Sequence, residues 1–173
     1  MRRWRHSRFF PQQIEQGSKK CTTFDWIVSR CADATGKTAP REIIHLLNSA
    51  RVEEIKRLEL GSVPAEGDAL FDRSVFKPAL AEVSEARLVQ TICAEYADLK
   101  RDIERLEGEK TEQTTDSLAM LWNVAPTQAQ EIAGKLVSIG SFQVRGSRTR
   151  PTYWVPFLYR DALTMSQGLA DES

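Results

Sequence analysis

Gly36-Lys37-Thr38 has the residue types of a phosphate cradle, in which backbone amides wrap the anion and a lysine completes the charge. The spacing argues against it. Such a loop needs a glycine five residues ahead of its Gly-Lys pair, where this chain has Cys31, and a preceding strand where the apolar pattern gives a helix. The segment therefore reads as a turn between two helices. Pro40-Arg41-Glu42 offers different chemistry, because a proline that opens a helix sets the next residue beside free backbone amides. Arg41 there favours an anion supplied by another surface, and it is otherwise unfavourable toward the helix dipole. Its alternatives are a plain surface residue or an ion pair with Glu42 or a neighbour.

A third group lies late in the chain. Arg145, Arg148, Arg150 and Arg160 fall in a stretch with no acidic residue between Ser141 and Tyr159. Just before it, Gln128, Gln130 and Lys135 are polar positions of a helical segment. The glutamines are suited to base edges and the lysine to phosphates, whereas Glu131 between them repels phosphates. No nucleophile is accompanied by a base. His6 and His45 are the only histidines, and Cys21, Cys31 and Cys93 lie far apart, which suits reduced thiols better than a disulfide framework or a zinc site. Glu53-Glu54 and Glu107 with Glu109 read as solvated. Trp26, Trp122, Tyr153, Trp154, Phe157 and Tyr159 read as core fillers rather than stacking platforms.

The elements that position these groups follow from periodicity. Phe24, Ile27, Val28 and Cys31 recur at helical spacing behind the caps Thr22 or Thr23, with Asp25 in the first turn. Pro40 opens a second helix, on which Ile43, Ile44, Leu47, Ile55 and Leu58 mark one apolar stripe that ends at Leu60 and Gly61. Residues 62–68, with Pro64 and Gly67, form a turn-rich linker. Phe76, Leu80, Val83, Leu88 and Ile92 share a buried side, Pro78 being tolerated in the first turn. Leu99, Ile103 and Leu106 continue that period to Gly108, with a break near Tyr96, and residues 111–115 read as a polar connector. A short helix over 116–122, a turn at Asn123 to Pro126 and a helix over 127–139 then precede two segments rich in β-branched and aromatic residues, 141–145 and 152–155. The polar loop between these two joins them as an antiparallel hairpin. Helix, turn, helix and a hairpin with a basic tip is the order of a winged helix, in which the second helix lies in a major groove and the wing adds arginine contacts. Its role is left open between docking DNA, docking a protein surface and a purely structural one.

The 24 basic and 24 acidic side chains cancel, so any nucleic-acid binding must come from local clustering. Arg2, Arg3, Arg5, Arg8, Lys19 and Lys20 load the first twenty residues, and acids outnumber bases from Glu82 to Glu112. No run approaches a membrane span and the basic start lacks the apolar segment of a signal peptide, which together suggest a cytoplasmic protein with no membrane partner.

Phe24-Asp25-Trp26-Ile27, Arg30, Asp33 and the run Pro40-Arg41-Glu42-Ile43-Ile44-His45-Leu46-Leu47-Asn48-Ser49-Ala50 resemble the lid of P-loop ATPases of the AAA+ and STAND-like group. Glu82-Val83-Ser84, Ala94-Glu95-Tyr96, Leu136-Val137-Ser138-Ile139-Gly140-Ser141-Phe142 and the run from Trp154 to Leu163 resemble the winged-helix tail of bacterial members. The likeness extends from Phe9 to Ala170. It implies that Arg41 is similar to the sensor-2 arginine, which reaches the terminal phosphates of ATP. The phosphate loop, the Mg²⁺-holding acid and the parallel sheet of that group are not in this sequence. The resemblance thus implies a non-catalytic C-terminal piece, either a truncated gene product or a separately encoded segment with residues 1–8 marking the cut, that meets ATP and Mg²⁺ only through a core supplied by a partner chain. The expected class is mainly α: a lid-like segment over 1–62 with its sensor-2-like helix at 40–60, a helical linker over 63–96, a winged helix over 97–165 and a tail over 166–173. A free-standing DNA-binding regulator and a protein-binding adaptor are the competing readings.

Overall fold

The computed structural model describes residues 9–65, 67 and 69–170. The basic start over residues 1–8 lies outside the described residues. The chain is mainly helical with one small sheet, and it divides into two compact units. One holds residues up to Cys31 together with Thr38–Val83; the other holds Ala32–Lys37 and the residues from Ser84 onward.

The first unit begins with α1 (Thr23–Arg30), whose cap Thr22 accepts from the Asp25 amide. Its inner side is Thr23, Trp26 and Ile27, while Phe24, expected on the apolar face, is 68% exposed. Pro40 stands first in α2 (Pro40–Glu59), as its fixed φ and missing N–H favour. The buried side of α2 is not the expected stripe. Glu42, Leu46, Ser49, Ala50 and Glu54 face inward, and Ile44, Ile55 and Leu58 face out. Two of the inward residues are carboxylates, which pure apolar periodicity misplaces. Glu54 is held by Arg57 and accepts from the Asp72 amide, so its burial leaves a satisfied charge. Phe76 is fully buried against Trp26 at 6.4 Å edge-on and Phe71 at 6.0 Å, and Phe10 stacks on Phe71 at 5.3 Å.

Asp72 caps a 3₁₀ turn (Arg73–Val75) that leads into α3 (Phe76–Arg87), with Pro78 in its first turn. Phe76, Leu80, Val83, Leu88 and Ile92 are all buried, as their spacing predicts. The step from Val83 to Leu88 is longer than one α turn. A π segment (Leu88–Ile92) follows it directly and takes up the extra residue before α4 (Cys93–Glu95) closes at Tyr96.

In the second unit, the expected long stretch before Gly108 shortens to α5 (Lys100–Glu104). The polar connector expected over 111–115 is instead strand β1 (Lys110–Thr114), followed by α6 (Thr115–Trp122), α7 (Pro126–Ser138), β2 (Gln143–Gly146), β3 (Pro151–Trp154), the single turn α8 (Phe157–Arg160) and β4 (Ser166–Leu169). Thr111 and Gln113 of β1 point inward at 2% and 1% exposure, so the buried face of this strand is polar and gives no apolar alternation to find. The sheet order is β2-β3-β1-β4, with β1 antiparallel to β3, β3 antiparallel to β2, and β1 parallel to β4. Residues 166–169, expected in a tail, complete that sheet. No helix among the described residues is long and apolar enough to cross a membrane.

Phe76→Ala should lower unfolding stability by about 3–5 kcal/mol, since it empties a fully enclosed aromatic site. Leu60→Ala, at a side chain 87% exposed, should shift it by no more than about 0.5 kcal/mol. Urea titration followed by tryptophan fluorescence measures both.

Candidate nucleic-acid interface

The turn between α6 and α7 is built by local chemistry. Thr114 and Ser117 form a reciprocal capping box at the start of α6, each side chain serving the other's backbone amide. At its end Asn123 adopts the left-handed conformation (φ 55°, ψ 54°), which suits asparagine. The Arg105 guanidinium donates to the Trp122 carbonyl at 2.5 Å, supplying a cation where the helix dipole is negative. Trp122 Nε1 donates back to the Asp102 carbonyl at 2.9 Å, so α5 and α6 are tied in both directions. Pro126 then opens α7 at its first position. Ala129 and Ala133 are fully enclosed with Leu136, and these small residues allow close approach of the helix backbone.

The opposite face of α7 is exposed. Gln128, Gln130 and Lys135 are all exposed, together with Glu131 and Ser138. Lys135 comes within 4.0 Å of Asp98, both side chains being mostly solvated, so its ammonium is only loosely held.

The hairpin is more tightly specified than its composition suggests. Gly146 has φ +76°, and a Cβ there would lie 2.6 Å from the Arg150 carbonyl oxygen, so only glycine fits. Across the tip the Arg150 amide donates to both the carbonyl and the hydroxyl of Ser147, at 3.2 and 3.1 Å, and Ser147 shares a hydrogen bond with Thr149 at 3.1 Å. This ordered turn presents Arg148 and Arg150 to solvent. Neither guanidinium has a hydrogen-bond or ion-pair partner among the described residues.

Arg145 differs from the other two. Its guanidinium sits 3.8 Å from the centre of the Trp154 ring and donates twice to Gln143 Oε1. Arg160 also lies over Trp154, at 4.5 Å, and over Phe157, at 4.1 Å, while its Nε donates to the Val155 carbonyl. Two of the four late arginines therefore brace the base of the hairpin through a partly buried tryptophan. Sequence reasoning assigned Trp154 to the core and missed this bracing; its signal is the alternation Gln143, Arg145 opposite Thr152, Trp154.

Arg41 belongs to the first unit. Its side chain is 63% exposed and its Nε donates to Glu42 Oε1 at 2.9 Å, which matches the ion-pair alternative for this residue. Gly36-Lys37-Thr38 follows a helix, and the amides of Thr35 and Lys37 donate to Asp33 Oδ1 at 2.8 and 3.2 Å. The chain's own carboxylate thus occupies the donors that a phosphate loop would offer. Burial, with Glu42 adding, pushes the Cys31 thiol up to about 12, which keeps it a neutral packing group and not a nucleophile. Among the described residues no three His, Cys, Asp or Glu side chains converge to hold a metal.

Comparison of the chain with protein families, with curated proteins and with solved structures finds no match in any of the three.

Gly146→Ala should destabilise the second unit by about 1–3 kcal/mol through backbone strain at the tip. Gly134→Ala, in α7 with open space around the added methyl, should instead be neutral or stabilising by up to about 1 kcal/mol. Differential scanning calorimetry of the two variants checks the opposite signs.

Proposed function

We propose that the second unit contains a winged helix that docks double-stranded DNA, and that the chain acts as the non-catalytic C-terminal portion of a P-loop ATPase. The observation that carries the first part is an order of elements, α5, β1, α6, α7, β2, β3, with β1 added to the outer side of a hairpin whose tip is fixed and bears two uncommitted arginines. In this reading α7 enters a major groove with Gln128 and Gln130 toward base edges. Lys135, Arg148 and Arg150 meet phosphates, and Arg145 holds the wing in place. The affinity is largely electrostatic, since α7 carries one loosely held cation against Glu131.

The ATPase part rests on the sequence resemblance. Arg41, second in a proline-opened helix and largely solvated, would exchange Glu42 for the phosphates of a nucleotide held by a separate P-loop core, with Mg²⁺ coming from that core. By itself the chain binds no cofactor in this reading. Glu131, central on the outward face of α7, favours a second reading in which that face docks a basic protein surface.

An electrophoretic mobility assay on a DNA duplex should show Arg148→Ala and Arg150→Ala each weakening binding and lowering the slope of log K against log salt by about 1. Unchanged affinity and slope would refute the DNA reading, and a protein partner that co-purifies after nuclease treatment and is lost with Glu131→Lys would replace it. The purified chain should hydrolyse no ATP; turnover that survives removal of contaminating ATPases would refute the non-catalytic assignment.

A further inference from the structure

Among the described residues the outward stripe of α2 has no covering element. Ile44, Ile55, Leu58 and Val52 are 59, 46, 42 and 40% exposed, and Asn48 and Arg51 between them are exposed as well. Single exposed aliphatics are ordinary. These are not scattered, because Ile44, Asn48, Arg51, Ile55 and Leu58 follow one another at steps of four, three, four and three, the repeat of a helix-pairing seam. The inward side of the same helix is already filled by Leu46, Ser49 and Ala50, so the seam is additional to the core of its own unit.

We propose that this seam is an isologous interface between two copies of the chain, with the two α2 helices packed antiparallel. Self-complementarity selects the occupant and the register. Run antiparallel with Ile44 opposite Ile55 of the second copy, the twofold also sets Asn48 opposite Arg51 of that copy, twice over, so aliphatic meets aliphatic and an amide oxygen meets a guanidinium. Arg51 makes no hydrogen bond or ion pair among the described residues, so this partner satisfies it. At each end Arg41 of one copy lies opposite Leu58 of the other and one residue from the level of Glu59, whose opposite charge adds attraction. A parallel arrangement would instead face Arg51 with its own copy, like charge against like. Sliding the antiparallel helices one heptad would face Arg51 with Ile55 and bury an unpaired guanidinium. A seam along one helix about 30 Å long is short beside specific interfaces, the smallest of which bury about 1,200 Å² in total, so the association is a weak one.

Sedimentation equilibrium of the full chain between roughly 1 and 300 μM should show mass rising from monomer toward dimer. Ile55→Asp, at a site exposed in the monomer, should weaken association about 30-fold or more with an unchanged circular dichroism spectrum. For the register, single cysteines are placed in a Cys21→Ser background, since Cys21 is the exposed native thiol. Ile44→Cys mixed with Ile55→Cys should yield a disulfide-linked pair. Ile44→Cys alone should not, because copies of that residue lie about 16 Å apart along the paired helices, beyond disulfide reach. A chain monomeric throughout, a dimer indifferent to Ile55→Asp, or efficient Ile44→Cys self-linkage would each overturn the proposal.

Discussion

The central strand of the sheet depends on a buried amide. Gln113 is 1% exposed, and its side chain donates to the Lys110 carbonyl at 2.7 Å while accepting from the Ser117 hydroxyl at 2.8 Å. Left unpaired, such a group would cost on the order of 1–3 kcal/mol. Satisfied, it joins β1 to the first turn of α6, because Ser117 is also a member of the capping box. β1 in turn carries β3 on one side and β4 on the other, and β3 carries the hairpin. The α6–α7 pair and the β2–β3 hairpin thus share one polar joint, and Thr111, bonded through its hydroxyl to Gly168, extends it to β4.

This joint also explains what the sequence concealed. Element starts set by backbone chemistry were legible in part: Pro40 opens a helix as its fixed φ demands and Thr22 caps α1, whereas Pro126, read as the last residue of a turn, is the first of α7. The hairpin was legible because its flanks are β-branched or aromatic and its loop polar. Strand β1 was not, since a buried face made of Thr111 and Gln113 looks like a connector until the partners of those side chains are known. Burial on α2 was misread for the converse reason. Glu42 and Glu54 occupy interior positions with arginine partners, Glu54 accepting from the Asp72 amide as well, while the best apolar stripe looks outward. Periodicity finds a face; it does not say which side of the molecule that face meets.

Among the candidate site residues, charge alone did not distinguish roles that geometry separates. Arg145 and Arg160 are spent on Trp154, whereas Arg148 and Arg150 are held out by a turn whose every polar group is local. The positive φ at Gly146 and the local hydrogen bonds across the tip leave its backbone little freedom to lose in the proposed DNA complex. Gln128, Gln130 and Lys135 are all exposed on α7, with Glu131 among them, although the two-residue step puts the glutamines on opposite flanks of the helix.

Strand β2 forms one margin of the sheet, hydrogen-bonded to β3 alone, and its Val144 is 52% exposed. Open margins of this kind invite strands from other molecules and are a common seed of aggregation. Here the margin is four residues long, bears the positive charge of Arg145 and terminates in a glycine turn. The same arginine that steadies the hairpin therefore also guards that margin against unwanted pairing.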